Sequence, residues 1–105
     1  MKIEFDPDKS AKNVEKHGLS LEQFANLDLD AGVIEPDTRR DYGEDRYVVV
    51  APLDDRLHVA CFCIRGGMFR VISLRKANDR EVRRYERAHA EKAAKAAAGR
   101  AAPDR

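Results

Sequence analysis

The sequence predicts an α+β fold: two N-terminal helices, an antiparallel sheet of three to four strands, and a C-terminal helix, with the helices on one sheet face. Three observations carry this. The β-branched and aromatic runs RYVVVAPL, LHVACFCI and MFRVISL follow one another at 46–53, 57–64 and 68–74. Turn-forming Asp54-Asp55 and Gly66-Gly67 separate them, which is the pattern of a meander. Helix-start signals flank this block, Asp6-Pro7 before it and Asn78 with Glu81 after it. A chain of 105 residues, 43% apolar and 37% charged, supports one hydrophobic core and not two.

In order, residues 2–5 read as a short strand or an extended entry. Asp6 caps a first helix with Pro7 at its first position; it runs to His17 and stops at Gly18. Ser20 with Gln23 forms a capping box for a second helix, whose apolar side is Phe24 and Leu27, ending within 28–32. A short strand is possible at 33–35. The polar stretch 36–45 reads as a mobile loop. After the meander, the last helix starts near Asp79 and continues to about Ala97, with Gly99 and Pro103 marking a frayed tail.

Composition excludes several classes. No apolar run approaches the roughly 20 residues of a membrane span, and the N-terminus reaches charge too early for a secretory signal, so the expected location is the cytoplasm. Cys61 and Cys63 are too few for a disulfide framework or a structural zinc site and read as small apolar residues. No Gly-rich phosphate loop, nucleophile elbow or HExxH helix is present; no metal and no cofactor is expected.

The formal net charge of +1 conceals a polar distribution. Residues 20–57 are strongly acidic, whereas His58 to Arg87 hold eight Lys/Arg against three Asp/Glu. A basic segment of this kind suits a polyanion, or merely solvates a surface. On the first helix, Lys12 and Lys16, and Asn13 and His17, lie four apart and are expected on one side, with Ala11 and Val14 toward the core. His17 is a general acid or base, or a cation favoured at a helix C-terminus. In the last strand, strict alternation puts Phe69, Val71 and Ser73 on one face and Arg70, Ile72 and Leu74 on the other. Arg70 is then either a structural ion-pair partner or an anion ligand, a site that Arg65, Arg75 and Lys76 extend. Arg80, Arg83, Arg84 and Arg87 form a helical stripe that either tracks a phosphate backbone or is a solvated face. His58 and His89 read as surface residues.

Three motifs resemble those of the BrnT family. FDPDKSAKNVEKHG matches its opening D-P-x-K-x-x-x-N-x-x-K-H-G at Asp6, Pro7, Lys9, Asn13, Lys16, His17 and Gly18. GEDRY at 43–47 is similar to its G-E-x-R-aromatic segment. RVISLRKANDREVRRYE is similar to its R-I-I-S-A-R-x-A-x-x-x-E-x-x-x-Y ending at Arg70, Ile72, Ser73, Arg75, Ala77, Glu81 and Tyr85. Departures are Phe5 where Trp is frequent, Leu74 in place of a small residue beside the basic site, and a looser match after Gly18.

The resemblance implies a RelE-like fold and a type II toxin that cleaves RNA and blocks translation. It also implies neutralisation by a BrnA-like ribbon-helix-helix antitoxin and contact with operator DNA through that complex. The chain is thus expected to form a single BrnT-like toxin domain over 1–98, with the flexible tail marked by Gly99 and Pro103 over 99–105. In the metal-independent route the resemblance suggests, Arg70 and Arg75 hold the phosphate, His17 or Lys16 assists proton transfer, and Glu81 is a weaker base or a holder of Arg75. Arg65, Lys76, Arg80, Arg83, Arg84 and Lys12 would bind RNA. The rival reading is a non-enzymatic module that acts only within a DNA-bound repressor complex.

Overall fold

The computed structural model describes the backbone of residues 1–101 and the side chains of residues 1–97. Elements run β1 (Ile3–Glu4), α1 (Pro7–His17), two 3-10 helices (Leu21–Asn26 and Leu29–Ala31), β2 (Val33–Pro36), β3 (Tyr47–Leu53), β4 (Arg56–Arg65), β5 (Met68–Lys76) and α2 (Asp79–Ala101). The five strands form one sheet in the order β1-β5-β4-β3-β2. The sheet is mixed and larger than expected, because β1 adds to the free edge of β5 in parallel, pairing Ile3 with Phe69 and Glu4 with Arg70. A long connection through the rest of the domain makes that direction accessible. The tail expected over 99–105 begins inside α2, and residues 102–105 lie outside the described residues.

Local chemistry explains the elements. The Asp6 carboxylate accepts from the Asp8 N–H at 2.9 Å, and Gly18 closes α1 at φ 75°, where its N–H donates to the Val14 carbonyl at 2.8 Å. Gly66 and Gly67 both have positive φ, as a two-residue turn joining β4 to β5 requires. The expected second α-helix is instead 3-10 over Leu21–Asn26, and the Ser20 side chain makes no cap. Two facts account for this. Leu21, Phe24 and Leu27, all buried, recur every third residue, the period that eclipses on a 3-10 helix. The Leu21 N–H is also taken by the Ser10 hydroxyl at 2.9 Å.

Helix α1 is rotated from the expected orientation. Ala11 and Val14 are exposed, and Ser10 and Asn13 are the residues turned inward. Asn13 therefore parts from Lys12, Lys16 and the half-buried His17. Its Nδ2 donates to the Leu74 carbonyl at 2.8 Å and the Leu19 carbonyl at 2.7 Å, while its Oδ1 accepts from the Leu74 N–H at 3.3 Å. Beyond the short β1, this amide satisfies the edge of β5 as a further strand would.

One sheet face holds the core: Val49, Ala51, Leu53, Ala60, Phe62, Val71 and Leu74 against Leu21, Phe24 and Leu27. Phe24, Phe62 and Phe69 meet with ring centroids 5.3–5.6 Å apart. Strict alternation in β5 does not hold. Cys61 pairs with Ser73 and Phe62 with Val71, so Ile72 is an unpaired bulge residue. The bulge returns Leu74 to the core face and turns Ser73 and Arg75 to the face that carries Arg70. His58 is buried, with its ring Nδ1 2.8 Å from the Arg56 carbonyl, and is not the surface residue expected.

Replacing Asn13 by Ala leaves the Leu74 N–H and C=O without partners. We expect a loss of about 2–4 kcal/mol, read as a lower urea midpoint. An unchanged midpoint would show that water substitutes for the amide.

Candidate functional site

The second sheet face is polar and only partly covered. Val48 (β3), Val59 and Cys61 (β4), and Ser73 and Arg75 (β5) floor a groove of about 400 Å³. Residues 35–39 form one wall, and Glu81 and Arg84 of α2 the other. Both cysteines are free and buried, and burial pushes each thiol above its ordinary value.

Helix α2 is pinned over this face by polar contacts. Asn78 and Glu81 form a reciprocal capping box, with both N–H bonds at 2.9 Å. Glu81 also accepts both terminal nitrogens of Arg75, at 2.7 and 2.8 Å. Arg84 pairs with Glu35 of β2 at 3.0 Å. The Tyr85 hydroxyl and the His89 Nε2 lie 2.7 Å from the same Ala31 carbonyl, so His89 is a tether and not a free surface residue. That carbonyl can only accept, so His89 carries its proton on Nε2 there.

The loop between β2 and β3, expected to be mobile, is laced together. Asp37 is almost fully buried and accepts Arg39 Nε and Nη2 at 2.8 Å each, with the Tyr42 hydroxyl at 3.1 Å. Glu44 pairs with Arg65 at 2.9 Å, and the Arg46 guanidinium lies 4.1 Å from the centre of the Tyr42 ring. The Gly43–Tyr47 motif therefore orders this loop, with Tyr47 stacked on Phe62.

Among the residues singled out from sequence, Arg70 and Arg75 share one face through the bulge at Ile72, and Glu81 grips Arg75. The Arg75 guanidinium holds the Glu81 carboxyl below its ordinary value, which makes Glu81 a weak base. Arg70 lies outside the groove and pairs with Glu4 at 3.4 Å. Helix α1 runs beside β5 in the same sense, so His17, about 6 Å of helix rise beyond Asn13, comes level with the end of β5. Lys12 and Lys16 are exposed and, with His17, make no side-chain hydrogen bond or ion pair among the described residues.

The basic segment is more compensated than its count of charges suggests. Arg65, Arg70, Arg75 and Arg84 each face a carboxylate. The expected helical stripe divides: Arg84 turns to β2, while Arg80, Arg83 and Arg87 line the outer side of α2 with Glu86. Sequence reasoning missed Asp37, Arg39 and Tyr42. The available signal was an Asp and an Arg two apart, with a Tyr five from the Asp, inside a segment read only as polar.

Arg39 holds the Asp37 carboxyl far below the usual carboxylate range, against the opposing effect of burial. A depressed carboxylate contributes stability above its unfolded value, about 3.9, and loses it as pH falls toward the folded value. Between about pH 4 and pH 2, Asp37→Asn is therefore expected to flatten the fall in urea midpoint. An equally steep fall in the variant would place the acid sensitivity elsewhere.

A profile of the BrnT family, described as the ribonuclease toxin of type II toxin–antitoxin systems, matches residues 5–81. No curated protein matches the chain. Among the described residues, no helix is long and apolar enough to cross a membrane, and no group of three His, Cys, Asp or Glu side chains gathers as metal ligands do. The family match runs from just after β1 to the first turn of α2 and includes α1, all of β2–β5 and the loop that walls the groove; the chain belongs to the BrnT family of type II ribonuclease toxins.

Proposed function

We propose that this chain is a cytoplasmic, metal-independent endoribonuclease of RelE-like architecture that cleaves RNA and so arrests translation and growth. The observation that carries this reading is the placement of Arg70 and Arg75 on one open sheet face, with the Arg75 guanidinium fixed beside a groove. In the proposed step an RNA 2′-hydroxyl attacks the adjacent phosphorus, a P–O bond to the 5′-oxygen breaks, and a 2′,3′-cyclic phosphate forms. The proton leaves the 2′-oxygen, and another is delivered to the departing 5′-oxygen. Arg75, held in plane by Glu81, stabilises the charge that develops on the phosphate oxygens. Arg70, about 13 Å away along the strand because the bulge takes up one residue, meets a phosphate further along the RNA. Arg65 extends the same face; Lys76, on the other side of the strand end, and Lys12, Arg80, Arg83 and Arg84 add general attraction for the backbone.

Proton transfer falls to His17 or Lys16 at the end of α1, since Glu81 is engaged by Arg75. Electrostatic stabilisation by guanidinium groups replaces the Lewis acid of a metal enzyme. The cognate antitoxin in this reading is a BrnA-like ribbon-helix-helix protein that covers the basic face and brings the pair to operator DNA.

Purified protein is expected to cleave RNA equally with and without EDTA. Activity lost in EDTA and restored by magnesium would contradict the mechanism. Arg75→Ala should slow cleavage about 10²–10³-fold, some 3–4 kcal/mol of transition-state stabilisation, with cooperative unfolding retained. Unfolding of the variant, or full activity in a folded one, would make Arg75 only a structural partner of Glu81.

A further inference from the structure

The wall of the groove opposite α2 carries a cation whose geometry is prepared before any ligand arrives. The Asp37 side chain is 1% exposed, while that of Arg39 is 74% exposed. Arg39 Nε and Nη2 engage the two Asp37 oxygens side-on, its own backbone N–H closes on Oδ1 at 3.3 Å, and Tyr42 braces Oδ2. A fork of this kind fixes the guanidinium plane and consumes two of its five N–H donors, leaving three for another acceptor. The burial of the carboxylate matters: it anchors one end of the pair in the fold while the cation stays in solvent.

Arg39 also lines the same groove as Arg75, close enough for its charge to disfavour that of Arg75. Each is locked by its own carboxylate, so neither can turn to relieve that repulsion. An anion between them relieves it directly. Ser73 and Thr38 add hydroxyls to the same lining. Planar donors in two fixed orientations suit the several oxygens of a phosphodiester better than a single carbonyl or halide.

We propose that Arg39 is a phosphate-contacting residue of the RNA site, sharing the groove with Arg75, and that Asp37 and Tyr42 are the positioning residues that orient it. This rests on the ribonuclease reading above. The site then contacts the RNA strand from two walls, one contributed by the loop between β2 and β3 and the other by β5 with α2.

Arg40 supplies an internal control. It is the next residue and carries the same charge, but its guanidinium sits over the Tyr42 ring, 5.2 Å from the ring centre, and does not line the groove. The test measures binding of the full chain to a 2′-O-methyl oligoribonucleotide, which cannot supply the nucleophile, over a series of salt concentrations. Arg39→Ala is expected to weaken low-salt binding about tenfold and to lower the slope of log K against log salt by about 0.7, the value for one single-strand phosphate contact. Arg40→Ala should leave the slope unchanged. Arg39→Lys keeps the charge and loses the fork, so it should retain the slope while slowing cleavage of unmodified RNA. A residue that only neutralises Asp37 would lower the melting temperature without moving the slope.

Should Arg39→Ala not fold, Asp37→Asn/Arg39→Ala removes the buried charge along with its partner and takes its place. Equal effects of the Arg39 and Arg40 variants on the slope, or none from Arg39, would overturn the proposal while leaving the ribonuclease reading intact. Absence of RNA binding and cleavage in the unaltered protein would instead overturn the ribonuclease reading.

Discussion

Strand β5 has to place Phe69, Val71 and Leu74 in one core, and their spacing of two and then three residues cannot be met by a strand of period two. The bulge at Ile72 absorbs the odd residue. Its consequence on the other face is chemical. Arg70 and Arg75, five residues apart, would lie on opposite faces of a regular strand; here both lie on the open one, with Ser73 between them. Beyond β1, which pairs only with Phe69 and Arg70, the Asn13 amide closes the edge of β5 at the core-facing Leu74. Apolar packing and the polar face both hang on one unpaired residue.

The polar face is organised by carboxylates that hold arginines still. Glu81 grips Arg75, Asp37 grips Arg39, Glu35 meets Arg84, and Glu44 meets Arg65. The exposed pairs among them contribute little to stability, unlike the buried Asp37 carboxylate. Their larger effect is to freeze long side chains whose rotamer entropy would otherwise have to be lost on binding. Two of these pairs, Glu35 with Arg84 and Glu44 with Arg65, join the acidic stretch before β3 to the basic stretch after it.

Much of this was legible in the sequence. The three long strands, both flanking helices and the Asn78–Glu81 box rest on local signals, and each forms as those signals require. The BrnT resemblance rests on motifs whose residues now have visible work. Asn13 closes a strand edge, Gly18 ends a helix, and the Gly43–Tyr47 run knits a loop. What escaped was tertiary. The orientation of α1 follows from Asn13 finding the Leu74 backbone 61 residues away, which no helical periodicity encodes. Assigning Leu74 and Arg70 to one face was a conflict visible in the sequence, since it put a large apolar residue beside a charge, and a bulge resolves it. Asp37 and Arg39 gave no periodic signal, because loop pairs reveal themselves only in three dimensions.

The central claim is that the face made by the bulge, and not the outer side of α2, receives RNA. NMR of the arginine Nε–Hε signals during titration with a 2′-O-methyl oligoribonucleotide addresses it directly. The account predicts that the signals of Arg39, Arg70 and Arg75 move together, while that of Arg56, at the hairpin joining β3 to β4, stays in place. Movement confined to Arg80, Arg83 and Arg87, with the groove arginines unmoved, would contradict it.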